Sequence, residues 1–226
     1  MDHYLEIKII PDADVALSEA QLLSALYAKL HRALVDVGGG RIGVSFPRAG
    51  KTLGSVLRLH GSVDALGSLM NEPWLKGLRD YTDVSGILPV PVHTQHRVVR
   101  RVQVHSNPER LYRRSVRNGK LSAEEAEQKV TVAKSARSDL PYVYLRSNSN
   151  GNPFCLFIRQ SDLQDSPVPG TFNHYGLSST ATIPFFNPIF LPSRQALILK
   201  GCNGWLEKGF WSKKMEKLFN NEEVVI

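Results

Sequence analysis

No apolar run in this chain approaches the roughly 20 residues that a membrane-spanning helix needs, which excludes a helical membrane protein. The start, MDHYLEIKII, carries neither a basic leader segment nor a small-residue cleavage site, so the protein is expected to stay in the cytosol. Cysteine is scarce: Cys155 and Cys202 stand far apart without CxxC spacing, which supports neither a disulfide framework nor a thiolate zinc site. The acidic residues are scattered, with no paired carboxylates of the kind that hold two metal ions; Glu124 and Glu125 read as the solvated first turn of a helix. The histidines form no ligand cluster either, since His93 and His96 sit in PVPVHTQH, a proline-flanked linker. No metal or other cofactor is expected. The glycine run Gly38, Gly39, Gly40 is no phosphate loop, because such loops leave a strand and enter a helix, whereas this one leaves a helix and enters a strand.

What the chain does have is positive charge, a formal +7, concentrated between Arg97 and Lys120. That stretch, RVVRRVQVHSNPERLYRRSVRNGK, holds seven arginines against one acid, Glu109. Its first half alternates: Arg101, Gln103 and His105 fall on one side of an extended segment, and Arg and Gln side chains are those that read base edges. Its second half has helical spacing. Ser106 or Asn107 can cap a helix that opens at Pro108, and Arg110, Arg113, Arg114 and Arg117 then share one face, an arrangement suited to gripping phosphates. The bland alternative is a solvated charged face, but the near absence of interleaved acids favours a nucleic-acid footprint.

The N-terminal part alternates strands and helices. Strands are expected at Tyr4–Ile10, Arg41–Phe46, Ser55–His60 and near Val84–Val90. A first helix opens with the capping box Ser18/Gln21 and carries the apolar arc Leu22, Leu23, Leu26, Leu30, Ala33, Leu34, Val37; a second is expected over Ser62–Asp80, kinked or restarted at Pro73. This order is that of a ferredoxin-like (RRM-like) domain, although the aromatic base-stacking signature is missing from RIGVSF. The fold class is therefore α+β: a ferredoxin-like domain over 1–94, a second α+β domain over 95–186 carrying the arginine-rich helix, and an appended tail over 187–226. In the second domain Ser122–Lys134 reads as a helix, and YVYLR and FCLFIR as strands joined by the hairpin loop SNSNGNP.

Metal-free cleavage of RNA needs a proton-transfer group, help for the 2′-hydroxyl and a held backbone, for which histidine, hydroxyls and arginine suffice. His31 lies at the flank of the first helix's apolar arc, one turn beyond Tyr27. Taken singly, His31 is a surface histidine, Ser147 and Ser149 are loop hydroxyls, and Tyr175 is a tyrosine at a core edge. In combination with the strings MDHYLEI, KLHRALV, RIGVSFP, RVQVHSNPERL, LPYVYLRSNS and HYGLSS, residues 1 to about 186 resemble the CRISPR repeat-cleaving endoribonucleases of type I-F systems.

The resemblance implies roles. The histidine matching His31 transfers the proton, the serine matching Ser147 positions or activates the 2′-hydroxyl, and the tyrosine matching Tyr175 supports the histidine. Phe154 matches an aromatic that stacks beneath an RNA stem-loop, Arg101 and Gln103 match residues that read its lowest pairs, and Ser149 lies in the same RNA-binding loop. The arginine helix enters the stem's major groove. The implied reaction cuts at the 3′ side of the stem, without metal, to a 2′,3′-cyclic phosphate and a 5′-hydroxyl. Implied partners are the CRISPR repeat RNA and the other Cas subunits of a surveillance complex, the free protein being a monomer. A non-catalytic hairpin-binding subunit and a DNA-binding regulator are the rival readings.

Overall fold

The computed structural model of the chain describes residues 1–11, 17–38, 40–103, 108–135, 139–147 and 151–187. In the N-terminal half, β1 (His3–Ile9), β2 (Gly43–Ser45), β3 (Val56–Gly61), β4 (Thr82–Val84) and the short β5 (Leu88–Pro89) make one antiparallel sheet. Its order is β2-β3-β1-β4, with β5 beside the start of β1. Helices α1 (Glu19–Ala33) and α2 (Val63–Asn71) cover one face, where Leu5, Ile7, Ile9, Leu57 and Leu59 meet Leu22, Leu26, Leu30, Leu66 and Leu69 in the core.

Helix α1 begins where its capping box predicts: Gln21 N donates to Ser18 Oγ at 3.3 Å, and Ser18 N donates to Gln21 Oε1 at 2.9 Å. The arc buries as expected through Leu34, but regular helix stops at Ala33 and widens into a π-helical turn over Leu34–Gly38, leaving Val37 half-buried. Glycine costs a helix interior roughly 1 kcal/mol, so nothing in the run ahead sustains the helix. Helix α2 is shorter than expected. Pro73 cannot donate a helical bond and holds Glu72 extended, with ψ 143°, so the helix ends at Asn71. Trp74, Leu75 and Leu78 are then buried from turns rather than from a restarted helix. The fourth strand is broken into β4 and β5, because Ser85 satisfies the neighbouring strand with its side chain: Glu6 N donates to Ser85 Oγ at 2.8 Å.

The second sheet has the order β7-β8-β6-β9, from β6 (Gln95–Val102), β7 (Tyr142–Arg146), β8 (Pro153–Gln160) and β9 (Thr182–Phe185), all antiparallel. Between β6 and β7 the chain forms α3 (Pro108–Arg117) and α4 (Ala123–Ser135), which pack against each other. Pro108 opens α3 as expected, while Ser106, Asn107 and His105 lie outside the described residues. A Schellman motif closes it: Gly119, at φ +67°, donates to Val116 O at 2.9 Å, and Lys120 N donates to Ser115 O at 2.9 Å. Helix α4 has its own capping box, with Glu125 N donating to Ser122 Oγ at 3.1 Å.

The far face of the first sheet, which in a one-sided sheet would be wet, is buried. Tyr4, Glu6, Ser45, Arg58 and His60 point there and none is exposed. Glu6 stands opposite Arg58 in the β1–β3 ladder, and its Oε1 accepts from Arg58 Nε at 2.9 Å and Nη2 at 2.6 Å. Arg58 Nη1 donates to Phe186 O at 3.0 Å, and the Phe186 ring centre lies 3.7 Å from the guanidinium carbon, so the end of β9 is fastened to this face. Burial holds the His60 imidazole well below its ordinary pKa, hence neutral, with Nε2 2.8 Å from Ser45 Oγ. A covered face cannot serve as a platform for bases, which accounts for the missing aromatic signature. Val99, Val143, Leu156, Ile158 and Ile183 of the second sheet join the same core as the first. Among the described residues no helix is long and apolar enough to cross a membrane.

Candidate active site

Helix α1 places Tyr27 in the core and His31, one turn on, half-buried at the edge. The turn 173–177 comes up against both. Asn173 Oδ1 organises it by accepting from Tyr175 N at 2.8 Å and Leu177 N at 3.2 Å. Gly176 sits at φ +68°, and a Cβ there would collide with Val44 Cγ2; its carbonyl accepts from Val44 N at 2.8 Å, which clamps the turn to β2. The Tyr27 hydroxyl clamps it to α1 by donating to Tyr175 O at 2.7 Å. Burial pushes the Tyr27 phenol well above its ordinary pKa, so it stays a neutral donor.

The clamped turn fixes the histidine. His31 Nδ1 lies 2.9 Å from His174 O. A carbonyl only accepts, so the neutral imidazole carries its proton on Nδ1 and keeps Nε2 for proton exchange. The Tyr175 ring lies parallel to the imidazole, centres 4.0 Å apart at 7°, and the Tyr27 ring is near-parallel to that of Tyr175, centres 6.5 Å apart at 10°. Rotation of His31 is thereby restricted by a hydrogen bond on one edge and a ring on one face.

The β7–β8 hairpin supplies further lining. Its last ladder pair is Arg146 with Pro153, and Ser147 follows, with its N donating to Asn152 O at 2.9 Å and its O accepting from Gly151 N at 2.9 Å. Phe154 is half-buried on β8, and the Arg101 guanidinium carbon from β6 lies 5.9 Å from its ring centre. His31, Tyr175, Ser147, Phe154 and Arg101 all line one groove of about 910 Å³. Arg32 and Arg146 line it too, and among the described residues no Asp or Glu does. Such a groove favours an anion, and an imidazole-bearing and a hydroxyl-bearing residue are both in its lining. Among the described residues no three His, Cys, Asp or Glu side chains gather to hold a metal.

The other expected site residues lie elsewhere. Gln103 is exposed just past the end of β6 and does not line the groove. Arg113, Arg114 and Arg117 are exposed on α3, with Arg110 on the same helix. Ser149 lies outside the described residues. Sequence reasoning missed Arg32, Arg146, Asn173 and His174. Arg32 adjoins His31, and Arg146 has the outward parity of YVYLR, so both left a trace; His174 acts through its backbone carbonyl and left none.

The family described as CRISPR-associated protein (Cas_Csy4) matches residues 4–186. A curated "CRISPR-associated endonuclease Cas6/Csy4" from Escherichia coli (strain UTI89 / UPEC) is 50% identical over 186 residues, covering 82% of this chain and 100% of the relative. A protein of the same name from Pseudomonas aeruginosa (strain UCBPP-PA14) is 48% identical over 189 residues, again covering 82% of this chain and 100% of the relative. The family match ends at Phe186, the residue fastened to Arg58. Its span runs from the second residue of β1 past the end of β9, and the chain belongs to the Cas_Csy4 family of CRISPR-associated proteins.

Proposed function

We propose that the chain is a sequence- and structure-specific endoribonuclease that binds the CRISPR repeat stem-loop and cuts at the 3′ base of the stem. The observation that carries this reading is that His31, Ser147, Phe154 and Arg101 all line one basic groove. Phe154 stacks beneath the lowest base pair, while Arg101 and Gln103 read the pairs next to it and Ser149 contacts the same strand. Arg110, Arg113, Arg114 and Arg117 grip phosphates from the major groove, which a short hairpin leaves open at its ends.

In the reaction the 2′-oxygen attacks the adjacent phosphorus and the bond from phosphorus to the 5′-oxygen breaks. Ser147 positions the 2′-hydroxyl. His31, through Nε2, handles the proton that leaves the nucleophile and the one that the 5′-oxygen takes up. Tyr175 and His174 O keep Nε2 on the reacting atoms, and Arg32, Arg101 and Arg146 oppose the charge that grows on the phosphoryl oxygens. The products are a 2′,3′-cyclic phosphate and a 5′-hydroxyl, with no metal required. Because the arginine clamp holds substrate and product alike, release is slow, and the protein stays on the crRNA hairpin among the other Cas subunits. It acts in the cytoplasm and is a monomer when free.

The strand order β2-β3-β1-β4 with helices on one face supports a ferredoxin-like domain over 1–94, beside an RNA-hairpin-binding domain over 95–186. Incubation of the full chain with the repeat RNA of its own genome in excess EDTA tests the reading. One cut at the 3′ base of the stem with cyclic-phosphate ends is expected; dependence on added metal, or 3′-hydroxyl ends, contradicts it.

A further inference from the structure

A second groove, of about 610 Å³, opens between α1, β7 and the segment 51–54. It shares Ala28, Leu145 and Arg146 with the groove that His31 and Ser147 line, so the two adjoin. Its wall on β7 is aromatic. Tyr142 and Tyr144 alternate with buried Val143 and Leu145, so both rings stand on the open side with Arg146, and they are 52% and 57% exposed. Large exposed aromatics two residues apart on a strand, about 7 Å along it, are poor solvent-facing surface and good stacking surface for successive bases. The wall is also held in place. Tyr144 N donates to Ser24 Oγ of α1 at 3.1 Å, and the Tyr142 ring packs 5.4 Å from Phe157. Lys51 and Arg146 bring positive charge, against one acid among the described residues, Glu19.

Resting on the nuclease reading above, we infer that this groove binds the single-stranded RNA on the 3′ side of the cut, its bases stacking on Tyr144 and Tyr142 and its backbone facing Lys51. The occupant follows from covalent continuity. The leaving strand is bonded to the phosphate in the His31 groove, and the adjoining groove, which shares Arg146, carries the two tyrosines. Stacking is indifferent to base identity, so the site takes any sequence and contributes by holding the flank in line with the scissile bond.

The test uses the full chain and repeat hairpins with a single 2′-deoxy substitution at the scissile nucleotide, carrying 3′ flanks of about one or about eight nucleotides. Wild-type protein should bind the longer RNA about tenfold more tightly, and Y142A/Y144A should lose that gain, while Y144F keeps it. Cleavage of the all-ribose hairpin with the short flank should be unchanged in Y142A/Y144A, which also shows that the variant folds. Equal affinity for both flanks in the wild type, as expected of a groove that serves another subunit, overturns the inference while leaving the nuclease reading intact. A flank effect that survives in Y142A/Y144A overturns it too, by sending the strand elsewhere. Absence of any cleavage by the wild-type protein removes the reading on which the inference rests.

Discussion

The imidazole of His31 lies flat on the ring of Tyr175, 4.0 Å between centres, and its Nδ1 bonds to the carbonyl of the residue before that tyrosine. One short turn thus sets both the tautomer and the plane of the proposed proton-transfer group. H31A should lower the cleavage rate by about 10²–10⁴-fold and leave hairpin affinity within a few-fold, read by single-turnover kinetics beside a binding titration. Y175F should stay near wild type, because the stack is kept, whereas Y175L should lose rate without losing affinity. Full-rate cleavage by H31A would remove the histidine from the site.

The turn itself is open to test. N173A removes the acceptor of two backbone N–H groups, and G176A forces a Cβ into Val44 at φ +68°. Both should reduce single-turnover cleavage, with G176A the more destabilising at about 2 kcal/mol or more in denaturant titrations. Unchanged cleavage in both would mean that His174 O does not govern His31.

Arg114 stands exposed on α3. R114A should weaken hairpin binding and flatten the slope of log affinity against log salt by about one unit, with little change in the rate of bound substrate. A rate defect at saturating protein, with the salt slope intact, would place Arg114 outside the clamp.

His60 makes stability depend on pH. Burial depresses its folded pKa below the ordinary 6.5, so on acidification the unfolded chain takes up the proton first. Stability is therefore full above about pH 6.5 and falls as pH drops toward the depressed folded value, by up to about 1.4 kcal/mol per pH unit. Denaturant midpoints between about pH 7.5 and 5 should fall in the wild type and fall less steeply in H60Q. Parallel curves would show that His60 titrates alike in both states.

Local signals were the legible ones. The capping box at Ser18, the helix start at Ser122 and the proline start of α3 depend on near neighbours in the chain, and they stand where the sequence puts them. The polar face of the first sheet was not legible, because Glu6 finds Arg58 52 residues away and both are sealed by Phe186, a further 128 residues on. A Glu and an Arg in alternating strands look like an ordinary wet face until their cover is known. At the candidate site, His31, Ser147, Phe154 and Tyr175 were legible through the family resemblance rather than through any one of them taken singly. The carbonyl of His174 did not, since any residue supplies one, and the helix arc around His31 gave no hint of what its free edge would meet.

The account turns on the 2′-hydroxyl as the nucleophile brought between Ser147 and His31. The most direct measurement replaces that one hydroxyl with hydrogen at the scissile nucleotide and follows strand scission at saturating protein. Tight binding with no cut is predicted; cleavage that persists would mean that water attacks the phosphate and that the groove works by a different chemistry.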